Sequence, residues 1–504
     1  MCIALVYVFI MFASPSTGAN ILVISPTPVY SHQTAFFELW TELSLRGHNV
    51  TLITTNPMND PKLRNLTEID MKHTYDLMKG VTSIINHMTS IWNTYEYINT
   101  YMLAIFNEQI SQPRFQELVE GRGNFNLVLV NSQHPQLLIF GKIYNCPTIL
   151  FSSFYLYGYN HEAQGNPSHT IAHIGYARLI STVFYLRDWY SVTYELLPTR
   201  DRALNKYFNT SVTVRELLRD VDLVFLNTNP AIHGARAFGP TTIEIGYERK
   251  PTSIKLEKGL KQFLDNANDG FIYFSLGSNI KSKDITRSLL KTIIEAIKEI
   301  PYTFLYKYEG DYLDDKPDNV RLVKWAPQCQ ILRHPNIKLF VTQGGFQSME
   351  EAIYSAVPMV VIPFFADQEH NGRLMESKGI AKVVNRKSLT KEELKGAIKE
   401  VLRNSSYRET IERLRQLARD VPMTGLEKAI WWTEYVIRHK GAKHLRNPVA
   451  DLPLYQYYLL DVIGVLLSIV VVFVAIAYFI TKMFFMMVVM RLRIQMDTVD
   501  KKYL

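Results

Sequence analysis

The stretch NILVISPTPVYSHQTAFFELWTELSLRGHNVTLITT alternates an apolar run, a polar break, an amphipathic segment and a second apolar run. This pattern predicts a strand from Ile21 to Ser25, a loop, a helix from about Gln33 to Arg46 stopped by Gly47, and a strand from Val50 to Thr54. Short runs that are apolar throughout suit a parallel sheet covered by helices on both faces, so the unit reads as βαβ. The pattern returns at Phe271 to Ser275, in a helix from Ile285 to Ile300 capped by Asp284, and at Tyr302 to Lys307. It continues in FVTQGGFQSMEEAIYSAVPMVVIPFFADQ, where a strand at Phe340 to Thr342 meets two glycines, a helix from Phe346 to Ser355 and another apolar strand. The expected class is therefore α/β, with two parallel-sheet domains at residues 20–247 and 270–430. Residues 248–269 are rich in Lys, Glu, Asn and Pro, lack a strand pattern, and read as the linker.

The ends differ from this pattern. Residues 1–19, MCIALVYVFIMFASPSTGA, form an apolar run too short to span a bilayer comfortably, followed by small residues, which is a signal-peptide pattern. Residues 431–461 read as a helical return segment. Residues 462–480, VIGVLLSIVVVFVAIAYFI, carry no charge and can cross about 30 Å of hydrocarbon as a helix. With the first part directed into a lumen, residues 481–504 form a cytosolic tail containing Lys482, Arg491 and Arg493. Its final residues, Lys501-Lys502-Tyr503-Leu504, resemble the dilysine retrieval signal of endoplasmic-reticulum membrane proteins. Asn49, Asn65, Asn209 and Asn404 each open an Asn-X-Ser/Thr sequon. After signal removal only Cys146 and Cys329 remain, which excludes a disulfide framework and leaves their pairing open.

Composition narrows the choice further. At 504 residues, and about one domain per 150, two or three domains are expected. A hydrophobic share of 47% against 20% charged gives large cores rather than disorder. The net charge of +8 is spread over the chain with no basic stripe, which argues against nucleic acid as a partner.

In open α/β sheets ligands bind beyond the carboxyl ends of the strands. The turn Gln343-Gly344-Gly345 lies at such an end and opens a helix whose first N–H groups are unpaired, an arrangement suited to a phosphate. Ser348 can add a hydroxyl. Glu351 is placed to accept both hydroxyls of a ribose, Trp325 offers a face for a base, and Gln328 offers an amide to read its edge. Asp367 and Gln368 follow the next strand and can bind sugar hydroxyls. Together these groups describe a nucleotide-sugar site.

The same residues, Trp325 to Gln368, resemble the signature of the UDP-glycosyltransferases, with W-x-P-Q, T-Q-G-G, S-x-x-E, P-x(4)-P and D-Q in matching order and spacing. The resemblance runs from the signal peptide to the dilysine tail, and Gln343 with Gln347 looks most like insect members. It implies the GT-B fold: two Rossmann-like domains facing a cleft, acceptor half first, donor half second, and one C-terminal membrane helix. It implies that Trp325 stacks on uracil, Gln328 reads its edge and Glu351 holds the ribose. Gln343, Gly344, Gly345 and Ser348, with Ser278 in SLGSN, then address the phosphates, while Asp367 and Gln368 hold the sugar. Family members often have His where Gln343 stands. The resemblance further implies a UDP-sugar co-substrate, UDP-glucose if the insect likeness holds, with no cofactor and no metal. A homo-oligomer is left open.

The reaction needs a base to deprotonate the acceptor hydroxyl as it attacks the anomeric carbon with inversion. His32, after the first strand, resembles the catalytic His in the family's first βα loop. The carboxylate that usually orients it should end the strand in FNLVLVNSQ, where this chain has Asn131. An Asn carbonyl can orient imidazole but cannot stabilise imidazolium as a carboxylate does. That motivates a second reading, a UDP-sugar-binding protein with little turnover; a single-span receptor has no need of Trp325, Glu351 and Asp367 together. Phe151, Phe154, Tyr155, Tyr157, Tyr159 and Trp189 could wall a pocket for a small lipophilic acceptor or belong to the core. Asp311, Asp314 and Asp315, and the i, i+4 pair His169 and His173, carry weak metal signals with no third ligand evident for the histidines.

Overall fold

The computed structural model describes residues 18–79, 91–167, 187–250, 256–365, 367–457 and 459–500. The signal segment up to residue 17, His169 and His173, and Lys501 and Lys502 lie outside the described residues.

Two parallel sheets organise residues up to Arg446, which form one compact unit. The first contains β1 (Asn20–Ser25), β2 (Asn49–Thr54), β3 (Leu66–Asp70), β4 (Leu127–Asn131), β5 (Thr148–Ser152), β6 (Leu223–Leu226) and β7 (Thr242–Glu244), in the order β3-β2-β1-β4-β5-β6-β7. The second contains β8 (Phe271–Ser275), β9 (Thr303–Lys307), β10 (Val320–Val323), β11 (Ile337–Thr342), β12 (Met359–Val361) and β13 (Ala381–Val383), in the order β10-β9-β8-β11-β12-β13. Alternate residues enter separate cores on the two faces of each sheet. In β1, Leu22 and Ile24 face one cluster while Ile21 and Val23 face another. In β8, Phe271 and Tyr273 oppose Ile272 and Phe274 in the same way. These central strands are thus apolar on both faces because both are covered, whereas the edge strand β3, LTEID, is largely polar.

Several boundaries differ from the sequence reading, each for a local reason. The expected helix from Gln33 to Arg46 is two helices, Tyr30–Thr34 and Phe37–Leu45, because Phe36 between them leaves helical geometry at φ −120° and ψ 2°. The helix expected from Ile285, with Asp284 as its cap, is Arg287–Lys298; the Thr286 hydroxyl accepts from Leu289 N instead, and Asp284 ends a preceding 3₁₀ turn. Within 248–269 the helix Lys258–Asp265 buries Leu260 and Leu264 in the second half's core. The return segment begins earlier than residue 431, as the helix Gly425–His439, with a capping box between Thr424 and Glu427. Its Leu426, Ala429, Ile430 and Val436 complete a core of the first half.

Polar contacts join the halves. Asn227 Nδ2 donates to Glu350 Oε2 at 3.0 Å, Gln347 Nε2 to Ser153 O at 2.8 Å, and Asn229 Nδ2 to the Tyr354 hydroxyl at 3.3 Å.

Residues from Asn447 onward form a second unit. Its long helix, Leu460–Asp500, does not stop at residue 480: after Lys482 the apolar pattern resumes as MFFMMVVM, and the helix runs on for 41 residues in all. At 1.5 Å per residue that is roughly 60 Å, twice the ~30 Å hydrocarbon thickness. Residues 460–494 are long and apolar enough to cross a membrane.

Two glycines test this packing. A Cβ on Gly425 would lie 2.3 Å from Ile245 O, whereas one on Gly396, inside the helix Lys391–Arg403, would meet nothing within 4 Å. We expect Gly425→Ala to lower the thermal midpoint, and Gly396→Ala to raise it, through the ~1 kcal/mol of stability that separates the two residues in a helix. Thermal unfolding monitored by circular dichroism checks both signs.

Candidate functional site

The glycine turn after β11 is shaped by close contacts. Gly344 has φ +84°, and a Cβ there would come within 2.7 Å of Val361 Cγ1. Gly277 and Gly345 leave room for the buried Gln343 amide, since a Cβ on either would approach its Nε2 to 2.2 and 2.9 Å. Gln343 therefore packs between the loop bearing Ser278 and the start of the helix Phe346–Tyr354. Its Oε1 also accepts from Thr342 Oγ1 at 3.3 Å.

Glu351 stands at the centre of the donor-side cluster. It pairs with Arg249 Nη2 at 2.8 Å and accepts from Gln328 Nε2 at 2.7 Å. The same Gln328 nitrogen donates to Ser348 Oγ at 3.0 Å. The structure thus brings three expected residues together, and because the Ser348 oxygen accepts from Gln328, its hydroxyl proton is left to donate elsewhere. Trp325 is 57% exposed, as a stacking platform requires, with the Tyr30 ring nearly perpendicular to it at 5.3 Å between ring centres and Lys307 Nζ 5.3 Å from its ring centre. Asp367 accepts from Asn371 Nδ2 at 2.5 Å, and burial raises its carboxyl pKa. Asn371 also donates to Gly344 O at 3.1 Å, joining the Asp367 carboxylate to the glycine turn. The Oε1 of Gln368 accepts from Phe364 N at 2.9 Å and Phe365 N at 3.2 Å and holds its own loop.

His32 sits in the short helix Tyr30–Thr34 rather than in an open loop. The neighbouring Gln33 anchors that helix. Its buried amide donates to Ser25 O at 2.6 Å and Thr27 O at 2.8 Å, and accepts from Thr54 Oγ1 at 2.9 Å. Across from β4, the partner of His32 is Gln133 and not Asn131. Nδ1 of His32 lies 3.3 Å from Gln133 Oε1, while Asn131 is buried and its Oδ1 accepts from Gln133 N at 3.0 Å. Asn131 thus supports the residue that holds the histidine. Because an amide oxygen only accepts, this contact favours the tautomer with its proton on Nδ1 and its lone pair on Nε2. Burial pulls the imidazole pKa down to about 4, against a smaller upward effect of the Gln133 hydrogen bond. Phe154 packs beside the ring at 5.1 Å. Phe151, by contrast, is core, packed on Phe36 and Trp40.

Sequence reasoning missed Gln133, Arg249 and Asn371. For Gln133 the signal was its place in the turn after a buried strand end; Arg249 carried none, lying in a segment read as linker. Asp311 pairs with Lys324 on the surface, and both cysteines are free thiols that burial pushes up to about 11.

Residues 19–495 match the family model described as UDP-glucoronosyl and UDP-glucosyl transferase. The chain is 32% identical to UDP-glucosyltransferase 2 of Dactylopius coccus over 486 residues, covering 91% of this chain and 92% of the relative. It is 34% identical to UDP-glucuronosyltransferase 1A3 of Rattus norvegicus over 369 residues, 70% of this chain and 68% of that one. Among solved structures, the glycosyltransferase VinC in complex with DTDP superposes with a TM-score of 0.59 at 17% identity, covering 83% of this chain and all (100%) of that one, which bears on fold alone.

Beside Glu351 the chain places a second carboxylate of different character. Glu350 is buried in the seam, with Asn227 as its donor and the neutral His233, stacked on Phe346, 3.9 Å away. Burial raises its pKa to about 8, against the lowering effects of Arg249 and Asn227. A carboxyl whose folded pKa exceeds its unfolded value contributes stability at low pH and loses it as pH rises through the folded value. Glu350→Gln keeps an acceptor for Asn227 and removes the titration. The variant's thermal midpoint should therefore gain on the wild type steadily from pH 5 to pH 8; a constant difference would show that Glu350 does not titrate in this window.

Proposed function

The chain belongs to the UDP-glucuronosyl and UDP-glucosyl transferase family and is a UDP-glycosyltransferase of GT-B fold, and we propose that it transfers glucose from UDP-glucose, with inversion, to a hydroxyl of small lipophilic acceptors. The acceptor oxygen bonds to the anomeric carbon, the bond from that carbon to the UDP oxygen breaks, and the hydroxyl proton passes to Nε2 of His32. The leaving diphosphate meets Ser278 and the start of the helix at Phe346, where unpaired N–H groups offset its charge. The glucose assignment draws on the Dactylopius relative, whose name is that of a glucosyltransferase.

The observation that supports this reading is the His32–Gln133 contact, since an amide oxygen at Nδ1 favours the tautomer a general base needs. A non-catalytic UDP-sugar binder was motivated by Asn131 against the ring. Asn131 is not there, although the amide that replaces it is equally uncharged. For the membrane, we propose that the long C-terminal helix anchors the protein in the endoplasmic reticulum, with both sheet domains lumenal and Lys501 and Lys502 as the cytosolic address.

The base assignment predicts a pH profile. Below its pKa the imidazole is protonated and accepts nothing, so kcat/KM should fall as pH drops through about 4. Gln133→Glu places a carboxylate on Nδ1, raises that pKa and stabilises the imidazolium, so the acid limb should move up and turnover should rise. Both effects should vanish in a His32→Ala background. An unmoved acid limb would sink the assignment.

Trp325 gives a cleaner test of the donor side because it is exposed and its loss leaves the core intact. Trp325→Ala should weaken UDP binding by about 1–3 kcal/mol, the worth of one base on an aromatic platform, and Trp325→Phe should restore much of it. Calorimetry with UDP measures both.

A further inference from the structure

Behind the His32–Gln133 contact lies a group of buried polar side chains that the proposed reaction does not use. Arg200, on the helix Leu197–Phe208, is 5% exposed, and its Nη1 has no hydrogen-bond partner. His134, adjacent in sequence to Gln133, is fully buried with neither ring nitrogen partnered. Asn160, on the helix Gly158–Ala163, is buried with both amide atoms unpartnered. A buried polar group without a partner is costly, and several together mark a place built for a polar occupant rather than for packing.

Arg200 and His134 belong to one neighbourhood with Tyr157 and Tyr159, which Asn160 follows on its helix, and that neighbourhood adjoins the cleft. The Arg200 guanidinium acts on His134, Tyr157 and Tyr159 and hydrogen-bonds Tyr159. Tyr157 hydrogen-bonds Gln133 and senses Asp367 of the donor half. Burial first, and then Arg200, lower the His134 pKa to about 3, so the ring is neutral and can donate from one nitrogen. Among the described residues no carboxylate forms an ion pair with Arg200. Asp188 acts on Tyr159 without pairing with the guanidinium. The segments outside the described residues contain no Asp or Glu at all. A buried guanidinium that the chain itself leaves without an anion is suited to one brought by a ligand, and its planar fork matches a carboxylate.

We propose that the acceptor site ends in an anion seat, in which Arg200, with His134 and Asn160, receives a carboxylate carried by the acceptor. The preferred acceptors are then hydroxylated lipophilic acids, whose hydroxyl lies at His32 while the carboxylate lies at Arg200. This rests on the transferase reading above and specifies its substrate class.

The test compares 7-hydroxycoumarin with 7-hydroxycoumarin-3-carboxylic acid, binding each to the full chain in detergent with UDP present and following coumarin fluorescence. The wild type should bind the acid roughly tenfold or more tightly than the neutral compound, the size of a charge-assisted contact. Arg200→Met should abolish that preference while leaving UDP and 7-hydroxycoumarin affinities unchanged, and Arg200→Lys should keep part of it. Should Arg200→Met lose UDP binding through misfolding, Asn160→Leu and the wild-type preference decide instead. Equal affinities in the wild type, or equal weakening of both coumarins by Arg200→Met, overturns the proposal. Because binding needs no turnover, a preserved preference without transfer to either coumarin counts against the transferase reading and in favour of the seat.

Discussion

One guanidinium, that of Arg249, reaches both sides of the cleft. It pairs with Glu351 on the donor helix, donates to Gln347 O at 3.2 Å, and lies 3.4 Å from Thr34 Oγ1 on the short helix that carries His32. The next residue, Lys250, donates its backbone N–H to Glu38 at 2.7 Å. A charge this enclosed is tolerated only with its counter-charge in place, and removing either member of such a pair leaves the other uncompensated. Glu351 and the short helix that carries His32 therefore share one partner, so the geometry of the two cannot be set independently.

The surroundings of His32 show how a local anchor sets side-chain geometry at a distance in sequence. Gln33 fixes the short helix to the ends of β1 and β2, and Gln109 Nε2 donates to Pro26 O at 2.6 Å, pinning the intervening loop. From β4, Asn131 supports Gln133 and Gln133 holds His32. All of these partners are uncharged. They define the position and tautomer of the imidazole while leaving burial to decide its basicity, which is why its pKa falls.

What could be read from the chain follows the range of the forces involved. The strands and the two halves were legible because apolar runs and their breaks are local consequences of two-sided burial. The glycine turn was legible because only residues without a Cβ fit against Gln343 and Val361. The partner of His32 was not. Whether Asn131 or Gln133 meets the ring depends on how the chain leaves β4, and composition is silent on that. The cap at Thr286 rather than Asp284 was misread for a similar reason, since both residue types cap well and the preceding 3₁₀ turn decides between them. Arg249 lay in a segment whose polar composition suits a tether, yet tertiary contacts make part of it a joint. The length of the final helix was obscured by Lys482, a single charge after which the apolar pattern resumes.

The adjacent carboxylates Glu350 and Glu351 carry this division to its sharpest point. Successive residues on a helix point about 100° apart, so one turn presents its side chains to different surroundings. Glu351 meets a guanidinium and an amide N–H at the rim of the donor site. Glu350 meets an asparagine and a neutral histidine in the seam, where burial favours its protonated form. Two identical residues thus meet different surroundings from position alone, one paired with Arg249 and Gln328 and the other buried with Asn227 in the joint between the halves, where burial favours its protonated form. The helix that begins at the glycine turn thus carries along its length both the Glu351 cluster and the Glu350 contact with the first half, so the two are coupled through one rigid element.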